Sequence, residues 1–454
     1  MKRYLIPFFL IFVLCAACDN ASNNNEKAEK ISLDEIIQKI PGLRVSDTLA
    51  TLPGYEFCYE IYFTQPLDHQ DPSKGTFEQR MYWSHKDANM PMVMETEGYN
   101  IRKNRLTPVN EILEANQLMV EHRYFGKSLP DSLDYDYLYI QQQIDDYHRI
   151  KELFSKVYNK EWISTGFSKG GENTLIYKSK YPNDIAVAVP EVAPIILSNE
   201  DERTTAFLDT VGTDQCRQKL IDFQRTCLEN SDFFLPQIEQ EAKEKGYKYT
   251  TVSPLGALEY AVLEFTFAFW QWGYGKCEDI PVDKSDLQAY YDYLKYISPV
   301  SYFKDRPHAF DRKSPPSSAI MHQREYGYYA FDRKNIQDLL VAAPNATNRT
   351  FAPKEVDIEY DPSYIAEVNE WLKDNGNDII YIYGAADTWT GCAVNPTQNV
   401  NALKFMVPGG SHSTRIRDLN DAQKEEVIKY LEARIDGSIS RDYIEKSKSL
   451  PKVK

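Results

Sequence analysis

The sequence predicts a protein of the α/β class: a mostly parallel sheet flanked by helices, with a large, mainly helical cap inserted between the two halves of the core. Three observations carry this. Residues 162–165 form a β-prone run that enters Gly166-Phe167-Ser168-Lys169-Gly170-Gly171, and helix-compatible residues follow as far as Pro182. Short apolar runs alternate with helix-periodic stretches up to about residue 198, and again from about residue 362. The stretch between them is helical and irregular, rich in Tyr and Phe, and lacks that alternation. Because the alternation resumes, 199–361 reads as an insertion, with core segments 45–198 and 362–440 on either side.

Residues 1–18 read as a lipoprotein signal peptide. Lys2 and Arg3 precede an apolar stretch, 5–17, too short to span a bilayer. It closes in Leu14-Cys15-Ala16-Ala17-Cys18, which looks like a lipobox with Cys18 as the lipidated residue. The protein is therefore expected to be exported, as a periplasm-facing or surface lipoprotein that meets the membrane only through this anchor. Residues 19–44 hold an Asn-rich tether and then a helix over 33–39, closed by Pro41-Gly42.

Strands follow at 56–64, 77–84, 92–96 and 117–122, and apolar residues at helical spacing predict a helix over 139–158. After the Ser168 turn and its helix, 185–189 is a short, wholly apolar strand of the kind buried on both faces of a parallel sheet. Residues 255–272 are the most apolar part of the insertion, but Glu259 and Glu264 interrupt them and argue against a membrane span. A helix at 362–373, strands at 378–383 and 402–407 and a helix at 421–435 complete the core, and 441–454 is a basic tail.

The net charge of −15 argues against a nucleic-acid partner, since phosphate binding needs clustered Lys and Arg. Beyond the signal peptide no CxxC or HExxH pair occurs, so neither a metal nor another cofactor is expected. Of seven cysteines, Cys58, Cys216, Cys227, Cys277 and Cys392 lie beyond the signal peptide, an odd number that leaves at least one unpaired. Cys216 and Cys227, eleven residues apart, would lie about 16 Å apart on one helix, too far to bond, so a bridge from one of them to Cys277 is the better pairing.

The Gly-x-Ser-x-Gly turn has the layout of a nucleophile elbow, which lifts a serine hydroxyl above the sheet. Such a serine needs a base, and the base an orienting acid, in the chain order Ser, Asp or Glu, His of an α/β-hydrolase. Elimination identifies both. Of seven histidines, His69, His85, His122 and His148 precede Ser168, and His308 and His322 fall in the insertion. Only His412 follows the resumed sheet, in Pro408-Gly409-Gly410-Ser411-His412 just past a strand. Asp387 lies just beyond the strand at 378–383, whereas Asp374 and Asp378 precede that strand and belong at the wrong end of the sheet. The oxyanion donors expected are the backbone N–H of Lys169 and that of Gly98 or Tyr99, in the loop after the strand at 92–96.

Together, WIST before GFSKGG, EHRYFGKSLP, TEGY, YPND with VAP after it, FAFWQW, YGAAD and GGSH resemble the secreted bacterial tripeptidyl aminopeptidase family, a relative of the lysosomal prolyl carboxypeptidase and dipeptidyl peptidase group. The resemblance spans about 50–435. It implies an α/β-hydrolase with a helical cap, a Ser168, Asp387, His412 triad, and release of short peptides from free amino termini. Glu191 departs from the apolar or aromatic residue expected there.

An exopeptidase that measures from the amino terminus needs a carboxylate facing the ammonium. Glu97, Glu172 and Glu191, all near the catalytic loops, are candidates, and Trp270 and Trp272 are candidates for an apolar substrate pocket. The expected function is thus a serine exopeptidase acting on peptides with a free amino terminus. The alternatives are a prolyl-type dipeptidyl peptidase or carboxypeptidase, an esterase on the same fold, and an inactive hydrolase-fold binding lipoprotein.

Overall fold

The computed structural model describes residues 32–437 and 439–449. The expected signal segment and Cys18 lie outside the described residues. Nine strands form one sheet: β1 (Leu43–Thr48), β2 (Phe57–Pro66), β3 (Thr76–His85), β4 (Met92–Thr96), β5 (Asn116–Val120), β6 (Trp162–Phe167), β7 (Val187–Glu191), β8 (Ile379–Gly384) and β9 (Ala402–Val407), in the spatial order β1-β2-β3-β5-β4-β6-β7-β8-β9. The first three pair antiparallel, β3 pairs antiparallel with β5, and the six strands from β5 to β9 run parallel. This is an α/β-hydrolase fold.

Strand alternation sends the side chains of the central strands, buried on both faces, into two cores. Met92 and Met94 enter one core with Leu118, Ala188 and Tyr381, whereas Val93, Ile163, Val187, Val189 and Ile380 enter the other. The helices Ile140–Phe154, Lys169–Lys180 and Ser363–Asn375 cover the first face, and Pro108–Ile112 and Asp421–Glu432 cover the second.

Between β7 and β8 the chain builds the helical insertion, with its own aromatic-rich core. Its central helix, Pro254–Trp272, starts at the Ser253 cap and ends at Gly273. Glu259 is tolerated inside it because its carboxylate accepts the backbone N–H groups of Val341, Ala342 and Ala343. Cys216 bonds Cys277, while Cys58, Cys227 and Cys392 are buried free thiols. A π-helical turn, His322–Tyr326, ties the insertion to the core, where the Tyr326 hydroxyl donates to Asn173 Oδ1 at 2.8 Å.

Two features differ from expectation. β1 has only Leu43 and Val45 as apolar residues, on an exposed and irregular edge strand, too weak a pattern to read as a strand. Within the basic tail, residues Tyr443–Ser449 form a helix, anchored by buried Tyr443 and a bond from Lys424 Nζ to Ser447 Oγ of 2.8 Å. Among the described residues no helix is long and apolar enough to cross a membrane.

Candidate active site

The carboxyl ends of the parallel strands converge on one point, as open α/β sheets require of their ligand crevice. Ser168 follows β6 directly, with φ 53° and ψ −131°, a conformation that L-residues avoid. Close packing holds it there. A Cβ on Gly166 would come within 2.5 Å of the Gly170 carbonyl, so only glycine lets strand and helix approach so nearly. The Ser168 N–H donates to the Glu191 carbonyl at 2.9 Å.

His412, in the loop after β9, sets Nε2 2.7 Å from Ser168 Oγ and Nδ1 2.6 Å from Asp387 Oδ2. Asp387, in the turn after β8, is fully buried and also accepts the Trp389 N–H at 3.1 Å. The backbone N–H of His412 donates to the Gln271 carbonyl at 2.7 Å, so the last turn of the insertion's central helix fixes the loop. A serine hydroxyl bonded to an imidazole that is backed by a buried carboxylate can attack an acyl carbon while its proton passes to nitrogen.

Lys169 is the first residue of its helix, where a backbone N–H has no helical acceptor. The loop Glu97-Gly98-Tyr99 lies against that helix end: a Cβ on Gly98 would meet Gly170 N at 2.7 Å and Lys169 Cβ at 2.8 Å. The Lys169 side chain also has a place that the motif does not foretell. It is buried, with Nζ 3.2 Å from the Gly98 carbonyl and 4.3 Å from the centre of the Tyr326 ring. Burial drives its pKa down to about 7. Glu172, one turn on, is equally buried; desolvation drives its pKa up to about 8, and its Oε1 has no hydrogen-bond partner.

The other acids hold the site rather than line it. Glu191 Oε1 accepts the Ile416 N–H at 2.8 Å and so braces the loop that carries His412. Its departure from an apolar residue is thereby explained. Glu97 sits 3.6 Å from Arg105, whose guanidinium forks onto Glu95 at 2.7 Å. Burial and Glu95 both raise the Glu97 pKa.

Of the two candidate tryptophans, Trp272 flanks the site, 42% exposed, its ring 5.6 Å from the His412 ring. Trp270 does not. Two residues apart on a helix means about 200° around it, and Trp270 faces a separate cleft with Leu208, Arg217 and Asp332. The residue that shares the site with Trp272 is Trp389, two positions after Asp387, with its ring 6.4 Å from His412. Only its proximity to Asp387 in the chain could have pointed to it.

The sequence profile of the family described as PS-10 peptidase S37 matches residues 26–435. The chain belongs to that family. It is 30% identical over 427 residues to the prolyl tri/tetrapeptidyl aminopeptidase of Streptomyces mobaraensis, a match covering 92% of this chain and 88% of that one. The human lysosomal Pro-X carboxypeptidase is 27% identical over 206 residues, 40% of this chain and 42% of its own. A solved proline iminopeptidase from Mycobacterium smegmatis overlays 82% of this chain and 98% of its own, at 13% identity and a TM-score of 0.37. This S37 chain is a serine peptidase.

Proposed function

We propose that the protein releases short peptides, chiefly tripeptides, from the free amino terminus of oligopeptides. Ser168 Oγ attacks the scissile carbonyl, and His412 Nε2 takes the proton and returns it to the leaving amine. Asp387 holds the imidazole by Nδ1 and stabilises its charged form. The tetrahedral oxyanion is held by the Lys169 N–H and by that of Gly98 or Tyr99. The acyl-enzyme is then hydrolysed by water activated by the same histidine. The observation that carries this is the hydrogen-bonded Ser168, His412, Asp387 series of 2.7 and 2.6 Å at the carboxyl ends of β6, β9 and β8. The free-terminus preference is supported by the aminopeptidase relative and by the insertion, whose central helix ends against the His412 loop.

Export with Cys18 as the lipid-bearing residue is part of the same proposal. It is supported by the amino-terminal pattern and by the Cys216–Cys277 bond, which belongs in an oxidising compartment. The test is a mass-spectrometric digest of a peptide library with free and acetylated amino termini. Loss of tripeptides from the free set alone is expected, and equal cleavage of both sets contradicts the reading.

A further inference from the structure

A cleft of about 430 Å³ lies within the insertion. One wall is aromatic: Tyr328 and Tyr329 each stand 5.7 Å, ring to ring, from Trp389, which abuts His412. On the opposite side Ser318 faces the Tyr99 hydroxyl, so the cleft opens beside the oxyanion loop. Within it lies one carboxylate, Glu264. The Tyr329 hydroxyl donates to its Oε2, and among the described residues no Lys, Arg or His forms an ion pair with it. Arg306 lines the same cleft as an exposed residue.

The position of Glu264 has a definite length. It shares the helix Pro254–Trp272 with Gln271, whose carbonyl holds the His412 backbone. Seven residues at 1.5 Å rise place it about 10 Å along the helix from the catalytic loop.

We propose that Glu264 is the anchor for the substrate's terminal ammonium. This rests on the aminopeptidase reading and names the residue that makes it one. A carboxylate desolvated among tyrosines gains a charge-assisted hydrogen bond when a free amine arrives, and an acetylated terminus supplies none. Burial already raises the Glu264 pKa to about 8, as expected of a carboxyl group awaiting its partner. Glu97 faces Arg105 and Glu191 holds the Ile416 N–H, while Glu172 is only 1% exposed.

The experiment compares tripeptidyl anilides with free and acetylated termini in wild type and Glu264→Gln, with fluorophosphonate labelling of Ser168 as the check that the site is folded. The free-to-acetylated ratio of kcat/KM falls about 10- to 100-fold in Glu264→Gln, the loss typical of one charged hydrogen bond. A wild type that discriminates, with a variant that discriminates as strongly, overturns the anchor alone. A wild type that cleaves both alike overturns the aminopeptidase reading beneath it.

Discussion

Gly98→Ala probes the packing that holds the oxyanion loop. The added methyl would stand 2.7 Å from Gly170 N, 2.8 Å from Lys169 Cβ and 3.0 Å from the Lys169 carbonyl carbon. Ordinary carbon contacts need about 3.5 Å, so the loop and the helix end must part by roughly 0.7 Å. The proposed donors at Lys169 and at Gly98 or Tyr99 sit on the two sides of that gap. A misplacement of about 1 Å at a reacting centre costs about 100-fold, and loss of one oxyanion donor costs about 100- to 1000-fold in kcat. We therefore expect kcat on a tripeptidyl anilide to fall about 100-fold with little change in KM, and stability to fall by about 1–3 kcal/mol from overpacking. Gly246→Ala is the control. A Cβ there meets nothing within 4 Å, and φ is +70°, so only the backbone strain of about 1 kcal/mol remains and kcat is unchanged. A folded Gly98→Ala enzyme with kcat within about twofold of wild type would refute the reasoning.

Other outcomes follow from the same structure. Asp387→Asn, which leaves His412 in the wrong tautomer, lowers kcat by about 10⁴-fold; a loss under tenfold means that Asp387 does not orient the base. Trp272→Ala lowers kcat/KM severalfold, whereas Trp270→Ala lowers only the melting temperature, as steady-state kinetics and thermal melts on both variants will show. The Cys216–Cys277 bond closes 61 residues, so its removal by a double Cys→Ser change costs up to about 4 kcal/mol in denaturant titrations. Glu172, facing Lys169, Tyr99, Tyr326 and Tyr360, has a folded pKa raised from 4.5 to about 8. Its folded state therefore holds a proton that the unfolded chain has lost, and the stability this confers disappears as pH rises through about 8. Glu172→Gln lacks that loss, so it gains on wild type by about 1–3 kcal/mol between pH 6 and pH 9; a constant gap between their melting temperatures contradicts the assignment.

Much of the core was legible because its signals are local. The β4 and β9 spans read from sequence coincide with those of the structure, since each is a short, mainly apolar run bounded by turn residues. The Ser168, His412, Asp387 constellation was legible by elimination, because chain order and strand ends leave few places for each residue type. β1 was not, since an edge strand needs no continuous apolar face. Neither was the role of Glu191, because a partner 225 positions away, Ile416, leaves no trace in local pattern. The buried Lys169 side chain was hidden for the opposite reason: lysine at a helix start reads as solvated, and only the fold over it shows otherwise. Trp270 and Trp272 look equivalent in FAFWQW, and helical geometry alone separates them.

The central claim is that Ser168 carries the peptide being released. It is tested most directly by acid-quenching the enzyme during turnover of a tripeptidyl nitrophenyl ester and mapping the adduct by mass spectrometry. The account predicts one tripeptidyl group, on the fragment containing Ser168, absent from Ser168→Ala. An adduct on another residue, or one that persists in Ser168→Ala, would contradict it.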